Sequence, residues 1–260
     1  MPAPNFFILG AQKAGTTYLA KALSSHPDVL FSEPKELMFF SRPKINKRDF
    51  RTYKDDYFSG ARREKWVGEG STTYLQWPDA LPNLQTYIEG QPKFIVCLRQ
   101  PTEKAVSFFI HNWRRDRYAP GTTITDTLDE NLGLSPLGTG LYAPSLRRWL
   151  DAYPRENFCF MKFDHLQATP DRFVRKATDF LGIAPSTDVP NKLINAGLPL
   201  IWENGQLTIA SKVDDDQTRP VFTVEELEAL HARFQSDIAE TAELTDLPLN
   251  NWAKIPTFAS

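Results

Sequence analysis

The stretch Phe6-Phe7-Ile8-Leu9-Gly10-Ala11-Gln12-Lys13-Ala14-Gly15-Thr16-Thr17 decides the fold. An apolar run of strand length stops at a glycine, crosses a short loop carrying one lysine, and reaches Gly-Thr-Thr at the head of a helical pattern. A turn of this build suits an anion. Loop N–H groups and the unbonded N–H groups of the first helical turn converge on one point, and the helix dipole favours negative charge there.

The spacing from Gly10 to Gly15 fits the phosphate-binding pattern G-x-x-x-x-G-K-[ST] with one departure: Thr16 stands where that pattern has lysine. The loop's cation is Lys13 instead. A nucleoside triphosphatase uses the lysine after the second glycine on its terminal phosphates. The departure therefore points to a different group transfer.

Outward from this loop, strand-like and helical patterns alternate. Residues 15–25 read as helix, 29–31 as a short strand, 44–57 as a basic and aromatic helix with a wet face, 66–69 as strand, and 78–89 as a helix opened by Pro78. Lys93 to Leu98 is the clearest buried strand, followed by Arg99-Gln100-Pro101 and a helix to about Arg115. Residues 116–137, rich in Gly, Pro, Thr and Asp, predict a flexible loop with a short helix. A helix over 143–152, a strand over 157–163 and a helix over 170–181 closed by Gly182 continue the alternation. Leu198 to Ala210 predicts a hairpin turning at Asn204-Gly205. A charged loop over 212–219 then leads to one helix from Thr223 to about Leu244, opened by a capping box of Thr223 and Glu226. The pattern predicts an α/β fold. One domain over residues 1–260 has a central parallel sheet flanked by helices and a P-loop-like phosphate-binding loop, with the ligand at the carboxyl ends of the strands.

Composition narrows the class. The 260 residues suffice for a full core, and 41% hydrophobic with 24% charged content is that of an ordinary globular protein. A net charge of −2 argues against a nucleic-acid coat. No apolar run approaches the roughly 20 residues of a membrane span, and nothing resembles a signal peptide, so the expectation is a cytoplasmic chain. Cys97 and Cys159 lie in apolar strand-like runs and read as buried thiols. The four histidines and two cysteines show no metal-ligand spacing.

Three segments together resemble the sulfotransferases that use 3'-phosphoadenosine 5'-phosphosulfate (PAPS). Gln12-Lys13-Ala14-Gly15-Thr16-Thr17 resembles the family's 5'-phosphosulfate loop. Cys97-Leu98-Arg99-Gln100-Pro101, continuing to Ala105-Val106-Ser107, is similar to its 3'-phosphate motif. Pro34-Lys35-Glu36-Leu37-Met38-Phe39-Phe40 resembles the Lys-Glu-x-x-Phe-Phe segment of heparan-sulfate-type members. Weaker echoes are Gly68 to Tyr74, like a segment near the acceptor cleft, and Gly140 to Gly182, like a helix–strand–helix run. One departure stands out: carbohydrate members carry a cysteine-bridged loop after the hairpin, and here Ser211 to Arg219 fills that place without cysteine.

The resemblance implies a sulfuryl transfer from PAPS, with 3',5'-diphosphoadenosine as product and no metal. The acceptor is a hydroxyl or amine of a carbohydrate-like molecule or small metabolite. Lys13 would stabilise the leaving phosphate while Gln12, Ala14, Gly15, Thr16 and Thr17 hold it. Arg99 and Ser107 would fix the 3'-phosphate, as an arginine fork with a hydroxyl does. Glu36 would take the acceptor's proton. His111, four residues after Ser107 and so on the same helical face, would assist Glu36, bind the leaving group, replace Glu36 as base, or serve only structure. Lys212 and Arg219 are further candidates for the nucleotide. Two other classes compete: a P-loop-type nucleotide kinase or triphosphatase, and a nucleotide-binding protein without chemistry.

Overall fold

The computed structural model describes residues 1–128, 135–185, 198–210 and 219–258. The chain divides into two compact units, residues 1–99 with 145–195 and residues 100–144 with 196–260.

The first unit is built on five short strands: β1 (Phe6–Gly10), β2 (Val29–Phe31), β3 (Trp66–Gly70), β4 (Lys93–Leu98) and β5 (Phe158–Lys162). All neighbours run parallel, in the order β2-β3-β1-β4-β5. β1, β2 and the interiors of β4 and β5 are continuous apolar runs because both faces of a parallel sheet are covered, whereas β3 carries the buried Glu69. The residues of β1 are buried throughout. The helices of this unit are α1 (Thr16–Ser24), α2 (Lys47–Phe58) and α3 (Ala80–Tyr87) in its first half. After α4 (Pro101–Trp113), which belongs to the second unit, come α5 (Ala143–Ala152), α6 (Phe163–Ala168) and α7 (Pro170–Leu181).

Register aligns an aromatic row across three strands. Phe7 lies opposite Phe94 and Phe94 opposite Phe158, with ring centroids 6.2 Å and 5.0 Å apart. Phe40 meets Phe7 edge-on at 5.9 Å, and Trp149 of α5 meets Phe94 at 5.2 Å. Burying each such ring contributes on the order of 2–3 kcal/mol. This row explains why Phe39-Phe40 is pinned near the sheet rather than exposed.

The second unit holds α4, a three-stranded antiparallel sheet of β6 (Leu200–Glu203), β7 (Gln206–Ile209) and β8 (Val221–Thr223), and two helices, α8 (Val224–Ala232) and α9 (Gln235–Thr245). The hairpin turns at Asn204 (φ 49°) and Gly205 (φ 77°), the pair of left-handed residues a tight two-residue turn requires. The capping box at Thr223 and Glu226 is present. The single helix expected from Thr223 to Leu244 is corrected by the structure in two ways. Residues 221–223 form a strand paired with β7, and the helix breaks between Ala232 and Gln235. No glycine or proline marks the break. It lets Phe234 enter the core, and Asp237 accepts from the N–H groups of Tyr142 and Ala143, at 2.8 and 2.9 Å. The expected loop over 116–137 contains a 3-10 turn at Thr125–Thr127, and its residues 129–134 lie outside the described residues.

Among the described residues no helix is long and apolar enough to cross a membrane. Cys97 and Cys159 are buried, unpaired thiols, and burial pushes Cys159 up to about 11.

Candidate active site

The chain leaves β1 toward β2 and β3 on one side and later toward β4 and β5 on the other. Loops after β1 and β4 therefore part company, opening the crevice at which α/β proteins bind ligands. The loop after β1 is tied into that crevice at its root, where Ala11 N–H donates to Cys97 O at 2.7 Å.

Two residues of the loop are left-handed, Lys13 (φ 64°) and Gly15 (φ 82°). Gly15 is also the N-cap of α1, so no side chain there competes for the first-turn N–H groups. The position has no room for one. A Cβ at Gly15 would lie 2.4 Å from Leu166 Cδ2 and 3.2 Å from Phe163 Cδ2. Ala14 and Thr16 are buried, while Gln12, Lys13 and Thr17 are half-buried. Arg99, just past β4, reaches the same loop: its Nη1 donates to Lys13 O at 3.3 Å. Its guanidinium lies 4.6 Å above the Phe163 ring. Phe163 thus walls the glycine and supports the arginine.

Glu36 is brought to this loop by Thr72. Glu36 Oε2 accepts from Thr72 N–H at 2.8 Å and from Thr72 Oγ1 at 3.1 Å, and Lys35 Nζ pairs with Oε1. The Thr72 carbonyl packs against the root of the loop, where a Cβ on Gly10 would lie only 2.9 Å from it. Gly10, at φ 142°, is a position at which only glycine allows that approach. A carboxylate is thereby tethered, through Thr72, to the root of the loop that carries Lys13.

Ser107 and His111 sit on α4 of the second unit, four residues apart and both half-buried. Arg115, one turn further on, meets the His111 ring through its Nη1, closest to Nε2. Arg219 pairs with Glu203 at 3.6 Å and donates to Ile209 O, so it braces its own hairpin. Lys212 lies outside the described residues. Among the described residues no group of three or more His, Cys, Asp or Glu side chains is placed to hold a metal ion.

Sequence reasoning assigned no task to Thr72, Phe163 or Glu69. The Gly68-to-Tyr74 segment was a signal for the first and third. Phe163 had only its place after a strand end. Glu69 is a fully buried carboxylate that burial pushes up to about 7, against the pull of three hydroxyl donors.

A parallel α/β sheet with a glycine-bearing loop at its reversal point, Lys13 and Arg99 meeting at that loop, and a carboxylate tethered to its root defines the class of fold. The family model for the sulfotransferase domain matches residues 3–196. The chain belongs to that family. Heparan sulfate glucosamine 3-O-sulfotransferase 6 of Homo sapiens is 30% identical over 189 residues, 69% of this chain and 52% of that protein. A membrane-associated sulfotransferase of Dictyostelium discoideum is 29% identical over 119 residues, 45% of this chain and 25% of that one. The chain thus spans between a quarter and about half of the length of these relatives. The crystal structure of a sulfotransferase from Alicyclobacillus acidocaldarius superposes with a TM-score of 0.73 at 26% identity, covering 98% of this chain and 100% of that one.

Proposed function

We propose that the protein is a sulfotransferase that moves a sulfuryl group from PAPS to a hydroxyl or amine of a carbohydrate-like or small-metabolite acceptor. The observation that carries the proposal is Thr72, whose carbonyl closes on the loop root at Gly10 while its N–H and hydroxyl hold Glu36. It joins a carboxylate base to an anion cradle in one built unit.

The residues present fit the donor. The cradle is uncapped at Gly15, closely walled, and supplied with Lys13 from its own loop and Arg99 from the end of β4. When bound, PAPS supplies the sulfuryl group and leaves as 3',5'-diphosphoadenosine. Lys13 places positive charge where the leaving phosphate gains negative charge, and the N–H groups of residues 15–17 orient it. Arg99, seated over the Phe163 ring, presents a fork suited to a terminal phosphate. Glu36 Oε2 is committed to Thr72, so Oε1 is the oxygen that takes the acceptor's proton, with Lys35 alongside. Ser107 and His111 keep the roles the family resemblance implies, on the 3'-phosphate and in proton transfer. The heparan sulfate relative supports a carbohydrate-like acceptor. Two buried, unpaired thiols support a reducing, cytoplasmic location.

The test is a thermal-shift comparison of 3',5'-diphosphoadenosine, AMP and ATP, followed by transfer of radiolabelled sulfate from PAPS to pooled metabolites and desulfated polysaccharides. Stabilisation by the diphosphate alone, with label in an acceptor, is the expected result. Magnesium-dependent ATP turnover, or binding without transfer to any acceptor, would replace the proposal with a kinase or a non-catalytic binder.

A further inference from the structure

Glu69 ends in a closed cluster of hydroxyls. Its Oε2 accepts from Tyr53 Oη of α2 at 2.8 Å and from Tyr74 Oη at 2.9 Å, and its Oε1 accepts from Ser71 Oγ at 2.5 Å. Two of these hydroxyls pass the order on. Ser71 Oγ accepts from Met38 N–H at 2.9 Å, and Tyr74 Oη accepts from Phe40 N–H at 3.1 Å. Both amides belong to the stretch that starts at Glu36, whose own N–H donates to Gly70 O at 2.9 Å.

That stretch is held against its backbone preference. Glu36 (φ 69°) and Met38 (φ 50°) are both left-handed, a conformation that residues with a Cβ keep only where surrounding contacts impose it. The carboxylate form of Glu69 is what the cluster needs. A carboxylate only accepts, and here it receives three donors. A neutral carboxyl would add a proton of its own, leaving one hydroxyl without an acceptor and turning a lone pair away from Met38 or Phe40.

We propose that Glu69 is a positioning residue, which through Ser71 and Tyr74 holds residues 36–40, and with them the Glu36 carboxylate, in the geometry used for proton transfer. Its catalytic consequence rests on the sulfotransferase reading; its structural half rests on the hydrogen bonds alone. The titratable and charged groups around Glu69 are Tyr53 from α2, Tyr74 from the turn after β3, and Glu36 with its partner Lys35 from the loop above. Burial, with Glu36 adding to it, brings Glu69 to about 7. The clamp is therefore complete above that pH and loosens below it.

Residue-resolved amide exchange on the full chain tests this, with rates corrected for intrinsic pH dependence. In wild type, protection at Met38 and Phe40 should fall as pH drops from about 8 to about 6 while β1 and β4 amides stay protected. In Glu69→Gln, protection at both amides should already be about tenfold lower at the higher pH and show no further pH response. Turnover with PAPS should fall by about 30-fold in that variant, with KM for PAPS and affinity for 3',5'-diphosphoadenosine unchanged. If Glu69→Gln loses protection throughout and so fails to fold, Ser71→Ala decides, since it should release Met38 and spare Phe40. Unchanged protection at Met38 in Ser71→Ala, or at both amides in a folded Glu69→Gln, overturns the proposal. Expected exchange behaviour in a wild-type protein that transfers no sulfate would sink the functional reading and leave the clamp standing.

Discussion

The proposed reaction gives Lys13 and Glu36 separate tasks, the leaving phosphate for one and the acceptor's proton for the other, so variants at the two positions should report independently. Lys13 has a left-handed backbone that lysine and alanine, both unbranched at Cβ, find similarly unfavourable, so Lys13→Ala changes the charge and leaves the loop's backbone preference alone. Loss of one charge-assisted contact to a phosphate is worth about 1.5–3 kcal/mol. Lys13→Ala should therefore weaken 3',5'-diphosphoadenosine binding by about 10- to 100-fold, read by calorimetry. Glu36→Gln keeps an oxygen for Thr72 N–H and Oγ1 but cannot take a proton. Its turnover should fall by at least about 100-fold with nucleotide affinity intact. Matched losses of affinity in the two variants would refute this division of labour.

Among the elements, α2 depends on its ends more than on its buried face. Only Tyr53 and Phe58 of its twelve residues are buried. Its start is secured by Asn46, whose side chain accepts from Arg48 N–H at 2.8 Å and Asp49 N–H at 3.0 Å, while Asp49 accepts from Asn46 N–H at 3.0 Å. Asn46→Ala should lower unfolding free energy by about 1 kcal/mol in a urea titration. Because Tyr53 stacks on Phe39 at 4.2 Å and donates to Glu69, the helix that weakens is the one that closes the Glu69 cluster. The basic residues Lys47, Arg48 and Arg51 along it are exposed, as is Lys44 just ahead of its start, in keeping with the wet face read from the sequence. The helices at 143–152 and 170–181 fall where their patterns put them, because a strong apolar period and a closing Gly182 are local signals. The break before α9 is not local. It is set by where Phe234 and Asp237 find burial and N–H partners.

At the scale of the whole chain, Glu69 makes stability oppose readiness. Its value rises from 4.5 in an open chain to about 7 in the fold, a difference worth roughly 3 kcal/mol. The fold thus favours the neutral form. Stability from this group is fully present below about pH 4.5 and is lost as pH rises through about 7, where the clamp on residues 36–40 becomes complete. Melting temperatures of wild type and Glu69→Gln should diverge between about pH 5 and 8, with the variant gaining on wild type toward high pH. Parallel curves would show that Glu69 does not titrate in this range.

The sequence by itself determined the parallel α/β alternation, the position of the glycine-bearing loop after β1 and the places of Lys13, Arg99 and Glu36 on strand ends and turns. Hydrophobic period, turn residues and loop spacing act over a few neighbouring residues and are legible there. Only the tertiary structure decided that Thr72 joins Glu36 to Gly10, that Arg99 lies over Phe163 against the Lys13 carbonyl, and that Glu69 clamps the segment beyond Glu36. Those pairings cross dozens of residues. They follow from strand order and register, which bring side chains together regardless of their separation along the chain, and from burial, which forces each enclosed polar group to find a partner.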